Sequence, residues 1–319
     1  MRAWQITALH SPAVLTEVAV PAPGPGQALV RIRACGLNFA DLLIAEGTYQ
    51  DKPALPFVPG IEWAGEVCGL GPGARGPAIG TRVAASSATG GLADYGCFDA
   101  DTLIPIPDAM PFDHAAAFLI AYGTSHLALT HKARLQPGEA LFVTGAAGGV
   151  GLTAVEVGKR LGAHVIASAR GADKLAAARA AGADVLIDSD AAGLRDALLA
   201  LGGVDVVFDT VGGPAFDQAM RATNPEGRLL CIGFASGTVP QIKANHLLVK
   251  NISVMGFWWG GYRRFAPDLL TDSVATLLGW YADGGLRPLI AAALPFDALP
   301  EGLTMLRTRA ATGKVVILT

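Results

Sequence analysis

The chain has 319 residues, 51% of them hydrophobic and 16% charged, with a formal net charge of -3. That balance offers no basic field for nucleic acid and no Lys/Arg cluster supplies a local one, while no uninterrupted apolar run approaches the roughly 18 residues of a membrane span. The four cysteines, Cys35, Cys68, Cys97 and Cys231, are scattered without CxxC spacing, so neither a zinc knuckle nor a disulfide scaffold is suggested.

The N-terminal run Met1-Arg2-Ala3-Trp4-Gln5-Ile6 lacks a signal-peptide apolar core, so a cytoplasmic protein is expected. A chain of this length suits two moderate domains and buries roughly 75% of its unfolded surface. Over the first ~115 residues, short β-type runs at 28–33 and 65–68 are broken by Pro/Gly clusters at 21–26 and 71–80, which predicts an antiparallel, barrel-like β domain. From about residue 120 strands alternate with helices. Strands are predicted at 141–144, 164–168, 185–187, 204–209, 229–234 and 252–256, with helical runs between them such as 174–181 and 194–201. That alternation specifies a parallel sheet covered on both faces, and six strands fit two mononucleotide-binding halves. The tail, 313–318, reads as a last strand that rejoins the N-terminal domain.

The glycine-rich turn Thr144-Gly145-Ala146-Ala147-Gly148-Gly149-Val150-Gly151 lies between the apolar end of 139–143 and a helical run with Val150, Ala154, Val157 and Leu161 at helical spacing. Such a turn lets backbone N–H groups face a pyrophosphate at a helix N-terminus. Gly145 allows the tight turn, Gly148 the close approach of a phosphate, and Gly151 close packing of helix on strand. Ala147, Gly149 and Val150 complete the cradle. Ala146 stands in the first glycine's place of GxGxxG, and the alternative is an ordinary glycine-rich loop. At the end of the second strand, NAD enzymes place a carboxylate for the ribose hydroxyls. Here the residues are Ser168-Ala169-Arg170-Gly171. Arg170 and Lys174 offer charge-assisted hydrogen bonds to a 2′-phosphate, about 1.5–3 kcal/mol each or one to two decades of preference for NADPH. Otherwise they are solvated surface charges, with Asp173 capping the helix.

Gly36-Leu37-Asn38-Phe39-Ala40-Asp41, Pro59-Gly60-Ile61-Glu62, Ala121-Tyr122-Gly123-Thr124 and the glycine turn together resemble the medium-chain dehydrogenase/reductase superfamily. Within it the chain is similar to the zinc-independent NADPH:quinone oxidoreductases, and 245–252 and 312–316 follow the same pattern. The resemblance implies an α/β protein: a Rossmann doubly wound parallel sheet at 119–258, plus a GroES-like β-rich catalytic domain from 1–118 with 259–319. In the zinc alcohol dehydrogenases the Asn38 position is a Cys and the Ile61 position a His, both zinc ligands. The segment Ala115-Ala116-Ala117-Phe118 offers no third ligand, and the four closely spaced cysteines of a structural zinc lobe have no counterpart. Catalytic zinc needs three protein ligands and an open position, so no metal is expected. His114, His126 and His131 fit no metal spacing and read as surface or core histidines.

Without a Lewis acid, nothing obvious lowers the pKa of an unactivated alcohol. A quinone or α,β-unsaturated carbonyl accepts hydride from NADPH C4 provided its oxygen is hydrogen-bonded as charge develops; one such donor contributes on the order of 10²–10³ in rate. The resemblance places Asn38 and Tyr49 near the substrate carbonyl, with Asn38 alternatively a loop-capping amide and Tyr49 alternatively a packing aromatic. Asp41 is expected to fix the backbone beside Asn38, and Glu62 to be a structural carboxylate. Thr124 is expected near the nicotinamide carboxamide or phosphates. Gly233 and Phe234 lie at the end of the fifth strand, along the path of the nicotinamide half. Phe257, with Trp258 and Trp259, follows the sixth and either walls the acceptor pocket or packs an interface. Arg309 matches a family arginine that reaches the 2′-phosphate, while Ser189 replaces a tyrosine some relatives use near the adenine phosphate. The implied partner is a small-molecule quinone or conjugated carbonyl, with a homodimer expected from the resemblance. The alternatives are a 2-enoyl thioester reductase and an NADPH-binding sensor or structural protein with little turnover.

Overall fold

Gln27–Leu37 forms the longest strand of the protein, with Ala28, Val30, Ile32 and Ala34 buried on alternate positions, the period of a pleated strand with one inner face. In the computed structural model, which describes residues 1–319, that strand is the third of fifteen. In chain order the first elements are β1 (Arg2–Gln5), β2 (Val14–Glu17), β3 (Gln27–Leu37), α1 (Phe39–Ala45), β4 (Glu62–Leu70), β5 (Arg82–Ser86), β6 (Tyr95–Asp99), β7 (Ile104–Pro105), α2 (Phe112–Ala116) and α3 (Leu119–Leu127). A π-type turn, Ala128–Lys132, continues α3. Next come β8 (Ala140–Thr144), α4 (Gly149–Arg160), β9 (His164–Ala169), α5 (Ala172–Ala180), β10 (Val185–Asp188), α6 (Leu194–Ala200) and β11 (Val204–Asp209). Then follow α7 (Gly213–Ala222), β12 (Thr223–Cys231), α8 (Ala244–Lys250), β13 (Ser253–Gly256), α9 (Trp259–Phe265) and α10 (Pro267–Ala282). The chain closes with β14 (Ile290–Pro295), α11 (Leu299–Arg307) and β15 (Lys314–Leu318).

The chain divides into two units, Met1–Ile120 with Arg287–Thr319, and Ala121–Leu286. In the first unit the large sheet runs β14-β15-β3-β4-β5-β7, with β6 also on β3. β15 pairs antiparallel with β3, Val315 opposite Leu37, so the tail does rejoin the N-terminal strands. Trp63 is fully buried in this core and lies 4.0 Å, centroid to centroid, from Phe98.

The second unit is a six-stranded parallel sheet in the order β10-β9-β8-β11-β12-β13. Phe142, Ile166, Val207, Phe216 and Leu229 fill its core. The six strands predicted from the alternation all form, the fifth as Thr223–Cys231 rather than 229–234, so that residues 232–234 lie beyond its end. The boundary differs, however: 259–286 were expected with the β-rich domain and belong to the parallel-sheet unit. Side-chain packing explains the difference. His126 Nδ1 lies 2.8 Å from Ser273 Oγ, Trp280 packs edge-on to His126 at 5.2 Å, and Arg160 pairs with Asp283 while lying 4.9 Å over Trp280. These contacts tie α10 to α3 and α4, and no periodicity in the sequence announces them. No helix is long and apolar enough to cross a membrane.

Candidate active site

In the parallel-sheet unit, the sheet order reverses between β8 and β11, the switch point where open α/β sheets bind dinucleotides. The glycine turn sits there. Gly145 has φ +59°, a conformation that favours glycine, and a Cβ on it would lie 2.6 Å from Thr210 Oγ1. Gly148 N–H donates to Gly145 O at 2.9 Å, and Ala146 N–H to Ser168 O at 2.9 Å. α4 then begins at Gly149 with Gly148 as its extended N-cap, so the first-turn N–H groups of Gly149, Val150 and Gly151 have no intrahelical partner. A Cβ on Gly151 would lie 2.2 Å from Gly145 O. The turn thus closes only with glycine at both positions. With a helix N-terminus and its macrodipole behind it, this cradle fits a pyrophosphate.

Asp209, which the sequence reading did not single out, ties this turn to its neighbours. It is fully buried at the end of β11. Its Oδ1 accepts the Thr144 hydroxyl at 2.6 Å and Val211 N–H at 3.3 Å, and its Oδ2 accepts Gly212 N–H at 2.8 Å. Thr210 N–H donates to Thr144 Oγ1 at 3.0 Å and the Thr210 hydroxyl to Thr144 O at 2.9 Å. Burial pushes the Asp209 carboxyl above the usual carboxylate range, against the Thr144 hydroxyl and the two N–H groups. Beyond β12, Gly233 N–H reaches Asp209 O at 3.3 Å and Ala235 N–H reaches Thr210 O at 3.1 Å. This places Gly233 and the 39% exposed Phe234 beside the same strand end.

Ser168 is buried at the end of β9, and Arg170 is exposed just beyond it. Arg170 Nε lies 3.1 Å from Asp190 Oδ1, in a pair whose side chains are 69% and 61% exposed. The Asp190 carboxylate, 20 residues on in sequence, competes for the guanidinium. Lys174 lies in the first turn of α5. Thr124 is buried on α3, which is held to α4 by Tyr122 OH donating to Glu156 Oε2 at 2.6 Å and by Ser125 Oγ 2.8 Å from Thr153 Oγ1. Phe257 is buried against Tyr262 at 5.3 Å, and Trp259 is buried against Gly123, so both pack inside this unit.

In the β-rich unit, Asn38 caps α1 and is 8% exposed. Its Oδ1 accepts from Lys314 Nζ at 2.7 Å, and its Nδ2 donates to Glu62 Oε2 at 3.0 Å and to Gly36 O at 3.2 Å. Lys314 Nζ also donates to Glu62 Oε2 at 2.9 Å, and Glu62 Oε1 accepts Ile120 N–H at 2.9 Å. Asp41 Oδ2 accepts Asn38 N–H at 2.8 Å, whereas its buried Oδ1 has no partner at hydrogen-bonding geometry. Burial pushes the Asp41 carboxyl up to about 6, opposed by the Asn38 N–H and the Lys314 ammonium. Burial also pushes the neighbouring Cys35 thiol well up, with Asp41 and Glu62 adding to it.

These residues do not fit a zinc ion. Ile61 is apolar and buried, the ammonium of Lys314 occupies the acceptor oxygens of Asn38 and Glu62, and no three His, Cys, Asp or Glu side chains gather in ligating geometry. By sequence Lys314 reads only as part of a strand. The available signal was a lysine heading the apolar run Val315-Val316-Ile317. Tyr49 packs on the small cluster of Ile6, Ile44, Phe57 and Ile61. Arg309 follows α11 in a left-handed conformation, φ +56°. The three histidines lie apart: burial pulls His114 and His126 down, and His131 packs edge-on to Tyr262.

The family model for the alcohol dehydrogenase GroES-like domain matches residues 24–108, and that for zinc-binding dehydrogenases matches residues 149–273. The chain is 40% identical over 300 residues to a quinone oxidoreductase-like protein 2 homolog of Nematostella vectensis, covering 92% of this chain and 82% of that one. Among solved structures, the quinone oxidoreductase of Thermus thermophilus, determined also in complex with NADPH, superposes with a TM-score of 0.89 at 32% identity over 100% of both chains. The Escherichia coli quinone oxidoreductase complexed with NADPH superposes with a TM-score of 0.93 at 27% identity, again over 100% of both. The chain belongs to the zinc-independent quinone oxidoreductase family of the medium-chain dehydrogenase/reductase superfamily.

Proposed function

We propose that the protein is a zinc-free, NADPH-dependent reductase of quinones or related α,β-unsaturated carbonyls. The observation that carries this reading is the commitment of Lys314 to Asn38 and Glu62. The acceptor side is built around an internal ammonium and an amide, which suits an acceptor already electrophilic and needing no Lewis acid. When bound, NADPH supplies the hydride from nicotinamide C4.

The chain's own residues bind and orient. The N–H groups of Gly149, Val150 and Gly151, with Gly145, Ala147 and Gly148 shaping the turn, hold the pyrophosphate. Ser168, Arg170 and Lys174 meet the adenine ribose and its 2′-phosphate, and Arg309 is a further candidate cofactor-binding cation. Thr124, Gly233, Phe234 and Phe257 line the nicotinamide half. Asn38 and Tyr49 stand at the acceptor oxygen. Of the two Asn38 Nδ2 bonds, the longer one, 3.2 Å to Gly36 O, is the one an acceptor oxygen replaces.

The protein is further read as a homodimer. β13 is an edge strand of the parallel sheet, and such edges are commonly paired or covered. The neighbouring segments expose Leu248, Val249 and Phe265 at 78%, 74% and 69%, which suits a covered face. Four free cysteines accord with a cytoplasmic setting. An acceptor panel scored by NADPH oxidation tests the function. Turnover with 1,4-benzoquinone or 9,10-phenanthrenequinone is expected; turnover with crotonyl-CoA alone moves the assignment to a thioester reductase. NADPH binding without turnover of any acceptor moves it to a sensor.

A further inference from the structure

Lys314 heads a strand whose next three residues are fully buried aliphatics, and it is itself 5% exposed. Its ammonium joins three separate stretches of the β-rich unit: Asn38 in the β3–α1 turn, Glu62 at the start of β4, and its own strand β15. Through Glu62 Oε1 it also reaches Ile120. An ammonium only donates, and an ionised carboxylate only accepts. Their positions therefore dictate which way round the Asn38 carboxamide lies, oxygen toward Lys314 and nitrogen toward Glu62 and Gly36.

We infer that Lys314 is a positioning residue for the reductase: it sets the facing of the Asn38 amide and holds the β3–α1 turn, without itself touching the acceptor. The inference rests on the reading that this turn serves the acceptor. Removing only the lysine leaves Glu62 buried beside no cation, which by itself threatens the fold. The informative variant is therefore the double substitution Lys314→Met with Glu62→Gln, which removes both charges together. Lys314→Arg, which keeps the cation on a different geometry, accompanies it.

Four quantities are measured on each variant and the parent: melting temperature, NADPH affinity, kcat and KM for a quinone, and hydrogen exchange of residues 36–45. Positioning predicts a folded double variant that binds NADPH within about threefold of the parent while kcat falls on the order of 10–10²-fold. Exchange at 36–45 rises with it, and Lys314→Arg is intermediate in both. A folded double variant with the parent's kcat and the parent's exchange at 36–45 overturns the inference. Should the double variant fail to fold, Lys314→Arg decides. A lowered kcat with NADPH affinity kept supports positioning; an unchanged kcat, or one lost only in step with the folded fraction, rejects it. If the parent reduces no quinone or conjugated carbonyl, the functional reading fails separately, and exchange at 36–45 still decides for or against Lys314.

Discussion

The Thr144 hydroxyl donates to Asp209 Oδ1 at 2.6 Å, joining the ends of β8 and β11 across the point where the parallel sheet changes direction. The same carboxylate collects Val211 and Gly212 N–H groups, so one buried acid fixes the turns after β8 and β11 together. Asp209→Ala removes all three acceptor contacts, each worth about 1.5–3 kcal/mol when the acceptor is charged. The expected result is a clearly lowered melting temperature and, in the protein that folds, NADPH affinity weakened by roughly tenfold or more. Titration by NADPH fluorescence checks this, and an unchanged dissociation constant means the knot does not support the cofactor turn.

Gly151 tests the turn from its other side. A Cβ there meets Gly145 O at 2.2 Å, and backbone cannot yield as a flexible side chain does. Gly151→Ala is expected to cost about 1–3 kcal/mol of stability, as overpacking does, and to weaken NADPH binding further by displacing the N–H groups of the first helical turn. Urea unfolding and cofactor titration measure the two effects. Parent values for both would show that the turn relaxes freely.

Arg170 and Asp190 make opposite predictions for one ligand. Arg170→Ala should raise the KM for NADPH about ten- to a hundredfold and leave that for NADH nearly unchanged, since only NADPH carries the 2′-phosphate. Asp190→Asn releases the guanidinium from an exposed pair, worth about 0.2–1 kcal/mol, and removes a repulsive carboxylate. A modest fall in the NADPH KM is expected. Equal effects on the two cofactors would reduce Arg170 to a surface charge.

Asp41 gives stability a pH dependence of unusual sign. Its carboxyl is pushed up to about 6 from the ordinary 3.8, so the folded protein holds a proton between those values that the unfolded chain does not. Its contribution is therefore most favourable below about pH 4 and is lost as pH rises through 6, on the order of 3 kcal/mol in all. Asp41→Asn removes that dependence. Relative to the parent, the variant should gain stability steadily between pH 4 and 7 in urea unfolding. A difference independent of pH would show that Asp41 titrates normally.

The parallel-sheet unit was legible because its information is local. Strand-and-helix alternation, the glycine turn and the Arg170 segment each span a few residues, and β11, Val204–Asp209, forms as read. What stayed hidden depends on residues far apart in sequence. Lys314 and Asn38 are 276 positions apart, and nothing in Gly313-Lys314-Val315 says which acceptors the lysine will meet. Asp209 likewise reads as the polar end of an apolar strand until Thr144 is brought beside it. The placement of 259–286 failed for the same reason, since it depends on His126 meeting Ser273 across 147 residues.

Metal-free reduction by NADPH is tested in one assay: oxidation of NADPH in the presence of 1,4-benzoquinone, before and after exhaustive treatment with a chelator. Quinone-dependent turnover that the chelator leaves unchanged is expected. Activity lost on chelation and restored by zinc, or no quinone-dependent oxidation at all, would contradict it.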